Sequence, residues 1–120
     1  MSQTMQQIII TEPGGVDKLA YETVAIPSPA HNEVFVKVHA FGLNRPDILQ
    51  RQGLYPMPKG VTPVPGLEVA GIVEAVGADV TEFKVGDKVC GLTNGGGYAE
   101  YCVVPESQTL AIPEGVSFVQ

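Results

Sequence analysis

Residues 33–41 read EVFVKVHAF. Val34, Val36 and Val38 recur at every second position, with Phe35, Lys37 and His39 between them. Side chains change face at each step only in a strand, so this period of two excludes a helix and demands a sheet with an apolar face. The same kind of segment recurs along the chain. Strands are expected over 6–11 (QQIIIT), 19–26 (LAYETVAI), 69–77 (VAGIVEAVG), 87–92 (DKVCGL), 98–104 (YAEYCVV) and 109–113 (TLAIP). Glycine and proline turns such as EPGG (12–15) and PSPAHNE (27–33) separate them. Short strands at this spacing make a mainly β chain, closed as a barrel or a sandwich.

One stretch has helical character. In NRPDILQRQG (44–53) Asn44 suits the N-cap, Asp47 falls at N3 near the positive end of the helix dipole, and Gly53 suits the stop. Pro46 is early enough to be tolerated. A proline-rich loop, LYPMPKGVTPVPG (54–66), follows. Ordered loops of that length are more often functional than not. Near the end, Ser117 reads as an N-cap with three residues after it, the start of a helix cut short.

The bulk numbers bound the function. At 120 residues and 44% apolar, the chain is one domain with a real core. Seven basic against thirteen acidic residues leave a net charge of −6, which argues against nucleic acid or an anionic membrane as the main partner. No apolar run approaches the ~18 residues of a membrane span. The N-terminus MSQTMQQIII lacks the basic start of a signal peptide, so a cytoplasmic protein is expected. Cys90 and Cys102 lie in strand-like stretches and are read as reduced core thiols. A bridge between them or a reactive thiol are the alternatives.

Fourteen glycines invite a search for a phosphate-binding loop. In NGGGYAEY (94–101), Gly95 and Gly97 begin the G-x-G-x-x-G pattern, but Glu100 stands where its third glycine belongs. A strand follows instead of a helix, so these glycines read as a turn. Gly77 and Gly86 read as turn or bulge positions, with Asp79 and Asp87 as turn residues.

Several segments together resemble one family. GLNRPDILQRQGLYP (42–56), PGLEVAGIVEAVG (65–77), FKVGDKVCGL (83–92) and GGYAEYCVVP (96–105), followed by LAIPEGVSF (110–118), resemble the medium-chain dehydrogenase/reductase superfamily. Within it, the order and gaps are closest to the zinc-free NADPH quinone oxidoreductases, the zeta-crystallin-like branch. The resemblance implies that residues 1–120 are a GroES-like β-barrel with one or two short helices, the substrate-side domain. It implies a Rossmann cofactor domain after residue 120, absent from this chain, with the active site between the two.

Zinc-dependent relatives carry G-H-E-x-x-G where this chain has Gly66-Leu67-Glu68-Val69-Ala70-Gly71. Leu67 cannot ligate a metal, and Asn44 stands in the segment of the family's first zinc cysteine, so no tetrahedral zinc site is expected. By the same resemblance, Asn44 faces the nicotinamide ribose or carboxamide, Arg45 and Asp47 contact the cofactor, and Leu67 is an apolar wall. Tyr55 offers a ring and a hydroxyl to the substrate. Asn44 and Tyr55 are the catalytic candidates. Glu68, in an apolar run, is expected to be buried and paired with Arg45, Arg51 or backbone N–H groups. Tyr98 and Tyr101 are read as packing residues.

The function implied is hydride transfer from NADPH to a quinone or activated enone, without zinc, by a protein expected to be a homodimer when full length. The 120-residue chain alone is expected to be inactive. One alternative is an enoyl-thioester or alkenal reductase of the same superfamily. Another is a stand-alone, non-enzymatic GroES-like binding module.

Overall fold

A computed structural model describes residues 4–54 and 62–119. In chain order its elements are strands β1 (Thr4–Ile10), β2 (Leu19–Ala25) and β3 (Glu33–Phe41), helix α1 (Arg45–Arg51), and strands β4 (Glu68–Val76), β5 (Lys88–Leu92), β6 (Tyr101–Pro105) and β7 (Thr109–Ala111). Single 3-10 turns precede β2 and β7. The seven expected strands and the expected helix are all present.

β3 is the hub. It pairs antiparallel with β4 on one side and β6 on the other, within a five-stranded sheet ordered β6-β3-β4-β5-β7. β1 and β2 form a separate antiparallel hairpin. The alternation of β3 sets the core. Val34 and Val36 are fully buried and pack with Val69, Val73, Val89, Cys102 and Val104. Burying each valine contributes roughly 1.5–3 kcal/mol. The opposite face is not wholly polar, because Phe35 is buried there and stacks on Tyr101 with ring centres 5.1 Å apart.

Register shifts after Phe35 and after Val38 bend β3 against β4. The hairpin then docks on the curled sheet through residues 98–100. Ile8 N–H donates to the Tyr98 carbonyl (2.8 Å), Glu100 N–H to that of Gln6 (3.1 Å), and Val38 N–H to that of Glu100 (2.8 Å). The expected strand over 98–104 therefore divides. Residues 101–105 join the sheet as β6, while Tyr98–Glu100 bridge the hairpin and the sheet. The result is a curled half-barrel.

The ends of α1 follow the sequence signals. Asp47 at N3 accepts the Asn44 backbone N–H (3.0 Å), the reciprocal arm of a capping box. At the other end Gly53 takes φ +82°. Its N–H reaches the Gln50 carbonyl (3.0 Å) and the Leu54 N–H that of Leu49 (2.8 Å), a Schellman closure. Among the described residues no helix follows Ser117; residues 118–119 are a turn. A single N-cap residue does not nucleate a helix without a following turn of intrahelical bonds.

Candidate functional site

The site grows from the end of β3. The chain leaves the sheet at Phe41, crosses Gly42 and exposed Leu43, and enters α1 at Asn44. Asn44 is half-buried and Arg45 is exposed, so both present polar groups at the surface. Asp47 is 4% exposed. Its Oδ2 accepts the Asn44 N–H (3.0 Å) and the Tyr98 hydroxyl (2.7 Å), while Oδ1 has no partner among the described residues. The ring of Tyr98 lies 4.6 Å from that of Phe41. Burial, and then the hydrogen bond to Asp47 and its negative charge, push ionisation of Tyr98 far up, against a smaller opposing effect of Arg51. Tyr98 is thus held as a neutral hydroxyl donor.

Behind this cluster, two glycine-bearing segments clasp. The N–H groups of Gly96, Gly97 and Tyr98 donate to the carbonyls of Val64, Gly66 and Pro65 at 2.8, 3.2 and 3.0 Å. Gly66 has φ +109°, and a Cβ there would lie 2.7 Å from Gly97 Cα and Tyr98 N. The NGGG run is therefore a turn, as expected, and its glycines also permit this backbone approach. Leu67 follows directly, half-buried, with its carbonyl accepting the Thr93 N–H (2.9 Å). Asn44, Arg45 and Asp47 share one turn, and Leu67 joins them through the clasp and Tyr98. Tyr55 lies outside the described residues.

Glu68 corrects an expectation. It opens β4 opposite Leu92 and is exposed. Its side chain lies across Gly42, where any Cβ would collide with it. Among the described residues neither Arg45 nor Arg51 forms an ion pair with it. Arg51 instead donates from Nε to the Gly14 carbonyl (3.1 Å), while its own carbonyl accepts the Gly14 N–H (2.8 Å). A strand's first residue is free to turn its side chain to solvent, and that escapes the cost of burying a charge.

Glu68 borders an open groove of about 600 Å³ between the start of β4 and the C-terminal turn, lined also by Phe41, Gly42, Leu92, Leu110 and Phe118. Asn44 lies two residues beyond this lining. The groove offers apolar surface for a flat ligand, with amide, guanidinium and carboxylate groups close in sequence to its rim. Among the described residues no group of three or more His, Cys, Asp or Glu side chains is placed to hold a metal. Both cysteines are free, and no described helix is long and apolar enough to cross a membrane.

The residue that sequence reasoning missed is Tyr98. It follows the glycine run as packing residues do, and its partner Asp47 is 51 positions away. No local pattern marks such a pair.

Comparison with known proteins fits this geometry. Residues 30–114 match the alcohol dehydrogenase GroES-like domain. The chain is 42% identical over 118 residues to pig (Sus scrofa) quinone oxidoreductase, covering 97% of this chain and 36% of that protein. It is 40% identical over 116 residues to the zebrafish (Danio rerio) synaptic vesicle membrane protein VAT-1 homolog, covering 96% of this chain and 24% of that one. Escherichia coli quinone oxidoreductase, solved in complex with NADPH, superposes with a TM-score of 0.87 at 33% identity, over 94% of this chain and 35% of that one. The chain thus spans about a quarter to a third of the length of these relatives. The chain therefore belongs to the alcohol dehydrogenase GroES-like domain family, within the medium-chain dehydrogenase/reductase superfamily.

Proposed function

We propose that this chain is the substrate-side half of an NADPH-dependent quinone reductase that works without a metal ion. The observation that carries the reading is the turn at Asn44–Asp47. It sets a half-buried amide and an exposed guanidinium two and three residues after Gly42, which lines an apolar groove, in a chain similar to quinone oxidoreductases.

The residues present fit the cofactor's chemistry. A neutral amide at Asn44 can exchange hydrogen bonds with a carboxamide or a ribose hydroxyl, and Arg45 can face a phosphate. The buried, half-satisfied Asp47 stands behind them, where it positions the Asn44 backbone. Leu67 supplies apolar bulk where zinc-dependent relatives hold a ligand, which supports chemistry without zinc. NADPH, when bound, supplies the hydride. The chain's own residues orient the acceptor ring, exclude water along the groove and offer hydrogen bonds to the oxygen that gains charge. Tyr55 is the proposed donor to that oxygen.

The test is a chimera in which this chain replaces the matching segment of the E. coli enzyme. It should oxidise NADPH with ortho- or para-quinones, and Asn44→Ala should lower kcat/KM by about tenfold or more. Faster turnover of enoyl thioesters than of quinones would overturn the substrate assignment. Unaltered activity in Asn44→Ala would remove Asn44 from the site.

A further inference from the structure

We infer that Tyr98 is a positioning residue for Asn44, acting through Asp47. The inference rests on the reading of Asn44 as a cofactor-facing residue.

Two donors converge on one atom. Asp47 Oδ2 takes the Tyr98 hydroxyl at 2.7 Å and the Asn44 N–H at 3.0 Å. The other oxygen has no partner among the described residues, so every hydrogen bond of this buried carboxyl runs through Oδ2. Rotating the carboxyl would forfeit both bonds together. Buried carboxyls lacking partners are costly, which ties the orientation of Asp47 to the phenol. The direction of Asp47 in turn fixes the backbone of Asn44, the residue whose side chain is proposed to meet the cofactor.

Tyr98 is suited to the task because it is buried and held on several sides. It is 8% exposed. Its N–H donates to the Pro65 carbonyl (3.0 Å), its carbonyl accepts the Ile8 N–H (2.8 Å), and its ring packs on Phe41. Hairpin, glycine clasp and the end of β3 thus meet at one residue. The hydroxyl transmits that fixed frame to the first turn of α1. Tyr98 does not itself touch the reacting atoms, since its hydroxyl is spent on Asp47.

Backbone amide NMR of the 120-residue chain tests this. In the wild-type chain the Asn44 amide should be protected from solvent exchange well beyond the Leu43 amide beside it. Tyr98→Phe keeps the ring and removes only the hydroxyl. It should shift the Asn44 and Asp47 amide resonances and speed exchange at Asn44 by about tenfold or more. The Val36 and Val73 amides in the core should keep their shifts and their protection.

An Asn44 amide that exchanges freely in the wild-type chain, or keeps its shift and protection in Tyr98→Phe, overturns the inference. The wild-type measurement stands even if the variant does not fold. A failure of the function reading is distinguishable, because it would show as absent quinone reduction in the unmutated chimera while these amide results held.

Discussion

Replacing Gly66 by alanine probes the clasp that holds Tyr98 in place. Two costs arise at this position. Its φ of +109° is strained for an alanine, by about 1–2 kcal/mol. The added Cβ would also sit 2.7 Å from Gly97 Cα and Tyr98 N, whereas ordinary contact begins at 3.4 Å. The two segments must part by about 0.7 Å. That carries the Gly97-to-Gly66 and Tyr98-to-Pro65 hydrogen bonds, now 3.2 and 3.0 Å, beyond effective range. Each such bond contributes about 0.5–1.5 kcal/mol, so the expected loss totals roughly 2–5 kcal/mol. This is a large part of the 5–15 kcal/mol that typically holds a domain together. Gly86→Ala is the internal control. Gly86 has φ +95° but nothing within 4 Å of a Cβ, so it should lose only the strain, about 1–2 kcal/mol. Urea denaturation followed by circular dichroism compares the two. Equal losses would refute the close-approach argument.

Other outcomes follow from the same structure. Val36→Ala should cost about 2 kcal/mol in the same denaturation assay, against less than about 0.5 kcal/mol for Lys37→Ala on the exposed face. Burial pushes the Cys102 thiol up to about 11, only partly offset by its contact with Thr93. A folded-state value raised in this way stabilises the fold fully below the unfolded thiol's range near 9 and is lost as pH rises through 11, so stability should fall across that window. Cys102→Ala should flatten part of the fall. In thiol trapping near neutral pH, half-buried Cys90 should react before Cys102. In the chimera, Tyr98→Phe should lower kcat/KM in the wild-type background and change it by less than about twofold beside Asn44→Ala, because the two act as a unit. Additive losses would separate them.

What could be read from the sequence depended on range. β3 was legible because its valines alternate within nine residues, and α1 because Asn44, Asp47 and Gly53 are all local signals. The family resemblance and its GroES-like fold were legible because four motifs kept their order and gaps. Glu68 misled because its apolar neighbours suggested burial, while its place at a strand's first residue let it face solvent. The split of segment 98–104 was hidden, since Tyr98–Glu100 and β6 carry the same alternation and only the docking of β1 divides them. The Tyr98–Asp47 bond was illegible for a plainer reason: nothing in either segment names the other. At Ser117 the local signal is followed by a turn at residues 118–119, with too little described chain after it to form a helix.

The most direct test of the account is the metal dependence of quinone reduction in the chimera carrying this chain. NADPH-dependent reduction should survive exhaustive chelation and gain nothing from added zinc. Activity abolished by the chelator and restored by zinc would contradict it, as would a folded, NADPH-binding chimera unable to reduce any quinone.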